Sequence, residues 1–312
     1  LNGIHAIQGQ MPQTRLHIAK PDIIKAFSER PPVLSESMIS SLLQENRAFW
    51  RLTRTLGTRP FIDFLLKHTP LRKLSIPLPR RPVSGYVWGD VPLMEGLQGL
   101  IPRSYFSHYT ALRLHGLTEQ VPKTLYLTQE KLRPRSRESA APLLPMDQAA
   151  IDTAFLQPPR LSSNVAELPD EGLRVMLLEG ADHGNFGVIE HALNLGGTRL
   201  QHLRYTNLER TLVDCAVRPF YAGGVAEVLK AFRQAREQLS VNALNATYRK
   251  LGLAYPYHQA IGFYLEQAGY PQNRVALFRR HPIERDFYLT HQMGRTTYVA
   301  GWRLYVPEGM AP

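Results

Sequence analysis

Eleven histidines and a single cysteine are spread over the 312 residues, so the first question is whether any of them gather at ligand or catalytic spacing. No HExxH, no paired cysteines and no compact His/Asp/Glu pattern occurs, and with them go the signatures of zinc enzymes and zinc fingers. His108 and His115 stand seven residues apart. Two helical turns are too far for one metal, and two partly exposed histidines of a helix are the simpler reading. Cys215 sits in the apolar run of Leu212, Val213, Ala216 and Val217. It excludes an internal disulfide and reads as a small buried residue. Gly180, Gly184 and Gly187 in EGADHGNFG fit neither GxGxxG nor a Walker A loop, and no GxSxG is present, so this stretch reads as a turn-rich loop. Glu209 and Asp214, with Arg210 and Arg218 beside them, would suit an acidic metal-dependent nuclease, but no lysine follows at nuclease-like spacing on a strand. A charge pattern along a helix is the favoured reading and a nuclease the alternative. No catalytic residue, cofactor or metal is therefore expected, and the chain reads as a non-enzyme.

Charge gives the stronger signal. The formal net charge is +11, and residues 1–82 hold 13 Lys and Arg against 5 Asp and Glu, leaving 24 against 21 for residues 83–312. A quarter of the chain carries most of the excess, as a polyanion-binding domain would. Hydrophobic residues at 44% and charged residues at 20% exclude a disordered chain. No apolar run approaches the roughly 18 residues of a membrane helix, and the N-terminus lacks the regions of a signal peptide. No membrane partner and a cytoplasmic location are expected.

The elements that would present this charge can be read in order. Pro21 suits a first turn, and Ile23, Ile24 and Phe27 follow at helical spacing up to Pro31. Ser35 reads as an N-cap for a helix with Met38, Ile39, Leu42 and Leu43 inward. Thr58 reads as the cap of a third, with Phe61, Ile62, Leu65 and Leu66 inward. Residues 71–78 then alternate as a strand, and Pro79-Arg80-Arg81-Pro82 turns into a second strand over residues 83–88. Helix, helix, helix and hairpin is the order of a winged helix-turn-helix, in which the third helix enters the major groove and the wing tip reaches phosphate or minor groove. Arg59, Lys67, Arg72, Lys73, Arg80 and Arg81 are the expected DNA contacts, with Arg47, Arg51 and Arg54 as secondary backbone contacts.

The remainder reads as mixed. Helices are expected at residues 93–100, from Ser107 to the stop at Gly116, and over residues 208–217, 225–238, 241–251 and 257–268. Strands are expected at 123–128, 174–178, before Tyr205, and at 287–289 and 297–306, with an exposed basic loop over 131–141. The expected fold class is α+β: residues 1–18 as an arm open to disorder, 19–92 as the winged helix, and 93–312 as a larger, helix-rich mixed domain.

Three strings in that second part, SHYTALRLHGLTEQVPKTLYL (107–127), NLERTLVDCAVRPFYAGG (207–224) and YPYHQAIGFYLEQAGY (255–270), resemble the AbiEi family of type IV toxin-antitoxin antitoxins. The resemblance extends back through ENRAFWRL (45–52) and FIDFLL (61–66), so it covers residues 20–270. It implies a phage-defence antitoxin with two activities. A winged helix represses its own operon by binding promoter DNA, and a C-terminal domain opposes an AbiEii-like nucleotidyltransferase toxin without a stable complex. The family supplies no agreed catalytic residues. Tyr109, His115, Glu209, Arg210, Asp214, Tyr257 and His258, as members of the matching strings, are the expected antitoxin surface.

Overall fold

The computed structural model describes residues 14–131, 147–196 and 199–310. Among these it is an α+β protein whose contacts divide it into two units, Leu1–Pro77 with Arg81–Pro102, and Leu78–Arg80 with Arg103–Pro312. No described helix is long and apolar enough to cross a membrane.

The first unit contains α1 (Arg15–Ser28), β1 (Val33–Leu34), α2 (Glu36–Asn46), α3 (Thr58–His68), β2 (Leu71–Ile76), β3 (Val83–Trp88) and α4 (Leu93–Leu100). α1 begins upstream of the expected boundary, so residues 15–18 are helical. Pro21 lies inside the helix, which is carried past it by the buried row Ala19, Ile23 and Phe27. The rest of the expected arm, residues 1–13, lies outside the described residues. Ser35 caps α2, its Oγ accepting from the Met38 N–H at 3.2 Å. Thr58 does not cap α3. Gly57 holds that position, and the Thr58 hydroxyl lies 3.0 Å from that of Ser40, tying α3 to α2. The sheet order is β1-β3-β2, antiparallel throughout. α4 packs on β1 and β3, so this unit runs to Pro102 and past residue 92. Phe27, Phe61, Leu43 and Leu65 are fully buried between helices and sheet, and Trp88 stacks on Phe27 with ring centroids 4.8 Å apart.

The second unit is built on a six-stranded mixed sheet, in order β6-β7-β5-β4-β9-β8: β4 (Tyr105–Phe106), β5 (Thr124–Glu130), β6 (Val165–Leu168), β7 (Leu173–Gly180), β8 (Val188–Leu193) and β9 (Gln201–Thr206). β5 pairs parallel with β7, and β4 with β9. Its helices are α5 (His108–Leu114), α6 (Gln148–Leu156), α7 (Leu208–Val217), α8 (Val225–Gln234), α9 (Val241–Leu251), α10 (Tyr257–Gln267) and α11 (Gln272–Arg279). β10 (Phe287–Tyr288), β11 (Thr296–Val299) and β12 (Leu304–Pro307) form a small sheet in order β10-β12-β11. α10 lies at the centre of one apolar core, with Ile261, Phe263 and Tyr264 fully buried. Cys215 is free and buried in that core, and burial pushes its thiol pKa well up. This agrees with the inert role read from its neighbours. Most of the basic loop expected over 131–141 lies outside the described residues.

Candidate nucleic-acid interface

α3 buries Phe61, Ile62, Phe64 and Leu65 and leaves Arg59, Asp63 and Lys67 exposed. Spaced four apart, these three share one outward face. Its last turn is bordered by His17 and His68, whose ring centroids are 4.8 Å apart. His68 has its pKa lowered, first by desolvation and then by His17, Lys20 and Lys67. The helix is fixed by its apolar side, so the position of the outward charges does not depend on the charges themselves.

The other basic residues are placed differently from one another. Neighbours on a strand point to opposite faces, and β2 separates Arg72, opposite Val87, from Lys73, opposite Tyr86. Both are exposed, but Arg72 donates to the Gly89 carbonyl at 3.1 Å. Arg81 is exposed at the hairpin turn. Arg80 is not free beside it: its guanidinium meets Glu179 at 2.6 Å, and its backbone groups with the second unit. Arg47 is a brace. It donates to the Thr53 and Leu56 carbonyls and to Gln44, holding the turn between α2 and α3. Arg51, at a left-handed φ of 52°, and Arg54 are exposed on that turn, and the Arg51 carbonyl accepts from Arg15 at 3.2 Å.

The seven residues expected to form an antitoxin surface do not form one. Tyr109, Arg210, Tyr257 and His258 are buried, so their polar atoms serve the interior. Arg210 Nε donates to Asp214 Oδ1 at 2.8 Å, with the two side chains only 7% and 16% exposed, and Arg210 Nη1 donates to the Phe186 carbonyl at 2.8 Å. Burial raises the Asp214 pKa, and Arg210 opposes that rise. Gly187, at φ 74°, lies against Arg210, where an added Cβ would come within 2.9 Å of the arginine Cβ. The 181–187 loop therefore closes over this pair. Its other anchor is Glu130, which accepts from the His183 and Asn185 N–H groups, each at 2.9 Å, and from Tyr105 OH at 3.1 Å. Glu130 had no sequence signal, because nothing local marks a strand-end glutamate as a partner for a loop fifty residues on.

The remaining members lie in separate places. Tyr109 OH donates to Gln120 Oε1 at 3.1 Å. His115 Nε2 donates to the Thr206 carbonyl at 2.8 Å, and its pKa is lowered by burial. His258 donates to the Pro282 carbonyl at 3.1 Å and lies 3.1 Å from Tyr248 OH. Burial, with His281 beside it, lowers its pKa to about 4. Glu209 is half-buried in the first turn of α7. His108, expected to be partly exposed, is buried, with φ 50° and Nδ1 2.8 Å from Ser107 Oγ. Among the described residues no three His, Cys, Asp or Glu side chains come together as metal ligands would.

No family model matches the chain, and no curated protein does. Among solved structures it is similar to the crystal structure of the RV2827C protein from Mycobacterium tuberculosis, at a TM-score of 0.55 and 15% identity, over 93% of this chain and 91% of that one. The likeness is one of fold, and it runs through both units.

Proposed function

We propose that the chain is a DNA-binding antitoxin that represses its own promoter. In this reading the first unit is a winged helix, with α3 laid in the major groove and the β2–β3 hairpin as the wing. The observation that carries it is the outward row of Arg59 and Lys67 on a helix anchored by four buried apolar residues, beside a hairpin turn with Arg81 exposed. Lys73 and Arg54 add phosphate contacts, and Arg51 a further one. Arg47 and Arg80 leave the set of contacts, since their guanidinium groups are engaged within the protein.

The second unit, in the same proposal, opposes an AbiEii-like nucleotidyltransferase without forming a stable complex, and does so without catalysis. The support is the set of AbiEi-like strings in α5, α7 and α10. Because Tyr109, Arg210, Tyr257 and His258 of these strings are buried, these residues serve the fold of this unit, and its working surface lies on other, exposed residues.

Fluorescence anisotropy with the promoter fragment upstream of the gene, against a scrambled fragment of equal length, tests the regulatory half. Tighter binding of the promoter supports the proposal, and equal affinity removes autorepression from it. Co-expression with an AbiEii-like nucleotidyltransferase tests the other half. Growth rescue that survives the double change Arg59→Ala, Lys67→Ala assigns neutralisation to the second unit.

A further inference from the structure

A polar pocket of about 150 Å³ in the second unit is lined by Arg80, Arg160, Arg218, Ser162, Glu179 and Tyr221, all on that unit. Three arginines line it, from three distant stretches of chain: Arg80 beyond β2, Arg160 between α6 and β6, and Arg218 at the C-terminal end of α7. Among the described residues Glu179 is the one carboxylate lining it. It is already shared between Arg80 at 2.6 Å and Lys131 at 2.8 Å, which holds its pKa low. The guanidinium groups of Arg160 and Arg218 make no hydrogen bond or ion pair among the described residues, and both side chains reach solvent. The wall behind them is fixed and uncharged. Tyr221 is buried, its hydroxyl accepts from the Ser162 N–H at 2.8 Å, and Ser162 Oγ donates to the Leu177 carbonyl at 2.9 Å.

Among the described residues, three arginines and one glutamate line the pocket, and Lys131 pairs with that glutamate from beside it, so positive charge is in excess there. Like charges are not gathered about a small concave site without cost unless an anion relieves them. Guanidinium forks match the oxygens of a tetrahedral oxyanion in pairs, which a lone chloride cannot exploit. The volume admits a phosphate-sized group.

We propose that this pocket binds a phosphate group, either inorganic phosphate or the phosphate ester of a small nucleotide. Arg160 and Arg218 form the primary contacts, and Arg80 joins them as the oxyanion competes with Glu179 for it. This site is independent of the DNA-binding reading, since none of its ligands is one of the exposed cations assigned to DNA.

The test is calorimetric titration of the full chain in a low-salt chloride buffer with inorganic phosphate, and in a second arm with a nucleoside monophosphate. Saturable binding is expected. Arg160→Gln and Arg218→Gln should each weaken it about tenfold, the effect of removing one charge-assisted hydrogen-bonding group from a partly solvated site. Glu179→Gln should tighten binding, because it frees Arg80 and Lys131, and a gain cannot arise from misfolding. Arg59→Ala with Lys67→Ala should leave it unchanged. Equal affinity for the two ligands assigns the site to free phosphate, and tighter binding of the monophosphate assigns it to an ester. Absence of saturable binding overturns the proposal. So does binding that survives both arginine changes in chains whose thermal unfolding matches the parent.

Discussion

Replacing Asp214 by asparagine separates a structural carboxylate from a catalytic one. Asp214→Asn keeps the shape of the side chain and removes its charge, leaving Arg210 without its ion pair at a place where the arginine is 7% exposed. Breaking a buried pair by removing one partner costs roughly 3–5 kcal/mol. Arg210 keeps the Phe186 carbonyl and the nearby charge of Glu130, so the expected loss is at the low end, about 3 kcal/mol. A surface pair gives the contrast. Arg236 and Glu237 are 52% and 87% exposed, and Glu237→Gln should change stability by less than about 0.5 kcal/mol. The assay is urea unfolding at pH 7 followed by Trp302 fluorescence. The background carries Trp50→Phe and Trp88→Phe, since both of those tryptophans belong to the first unit. Trp50 tolerates this on the polar side, as its indole N–H is buried without a partner among the described residues. A catalytic carboxylate would give the opposite sign or none, because active-site charge is commonly held at the expense of stability. A loss below about 1 kcal/mol would refute the reasoning that Arg210 depends on Asp214.

Other consequences concern pH, packing and the brace in the first unit. His258 is held neutral with a pKa of about 4, below the value near 6.5 it regains on unfolding, so the unfolded chain takes up the proton first as pH falls. Stability from this residue is intact above pH 6.5 and declines down to about pH 4. At pH 5 the loss is about 2 kcal/mol, and His258→Gln should flatten that part of the urea-midpoint curve; a curve parallel to the parent's would contradict the assignment. Gly262 packs against Trp302, whose Cη2 would lie 2.2 Å from an added Cβ. Gly262→Ala should therefore cost about 3 kcal/mol or more by overpacking, and an unchanged unfolding midpoint would show that α10 can shift. Arg47→Ala removes three side-chain donors from the α2–α3 turn and should lower the stability of the first unit by about 2 kcal/mol, read from Trp50 and Trp88. Its DNA affinity at low temperature should fall by less than that of Lys67→Ala, and a larger fall would return Arg47 to the DNA surface.

How far the sequence could be read depended on range. α2 begins with the polar cap expected for it, Ser35, whose side chain bonds the Met38 N–H, and local capping needs no knowledge of the fold. The hairpin of β2 and β3 was legible for the same reason, since period two and the Pro-Arg-Arg-Pro turn are both local. The start of α1 was hidden because Pro21 normally marks a first turn, and tertiary packing of Ala19, Ile23 and Phe27 overrode it. β11 and β12 have the pattern of one strand. The turn at Ala300–Trp302, with Arg303 at φ 46°, carries no glycine-proline signal strong enough to show the break. β1 and β4, two residues each, and the parallel pairings of the large sheet come from contacts far apart in sequence.

The candidate site divides along the same line. Outward cations on α3 followed directly from the apolar stripe on its other side. The antitoxin residues were misplaced because a charged or hydroxylated side chain in a helix is ordinarily at the surface. In α7, Leu212, Val213, Cys215 and Ala216 are all buried, and a helix apolar on most of its sides is an interior one. That breadth was the available signal that Arg210 and Asp214 would be drawn in with it. Engagement of Arg80 by Glu179, ninety-nine residues away, left no local trace.

The most direct test of the central claim is the salt dependence of promoter binding by the chain carrying Arg59→Ala and Lys67→Ala. If α3 lies in the groove with both cations against DNA, affinity should fall at least tenfold at low salt. The slope of log K against log salt should become shallower by up to about two units, one for each phosphate left without its cation. Parent-like affinity and slope, in a chain whose first unit remains folded by Trp88 fluorescence, would contradict the assignment of α3 as the DNA-reading helix.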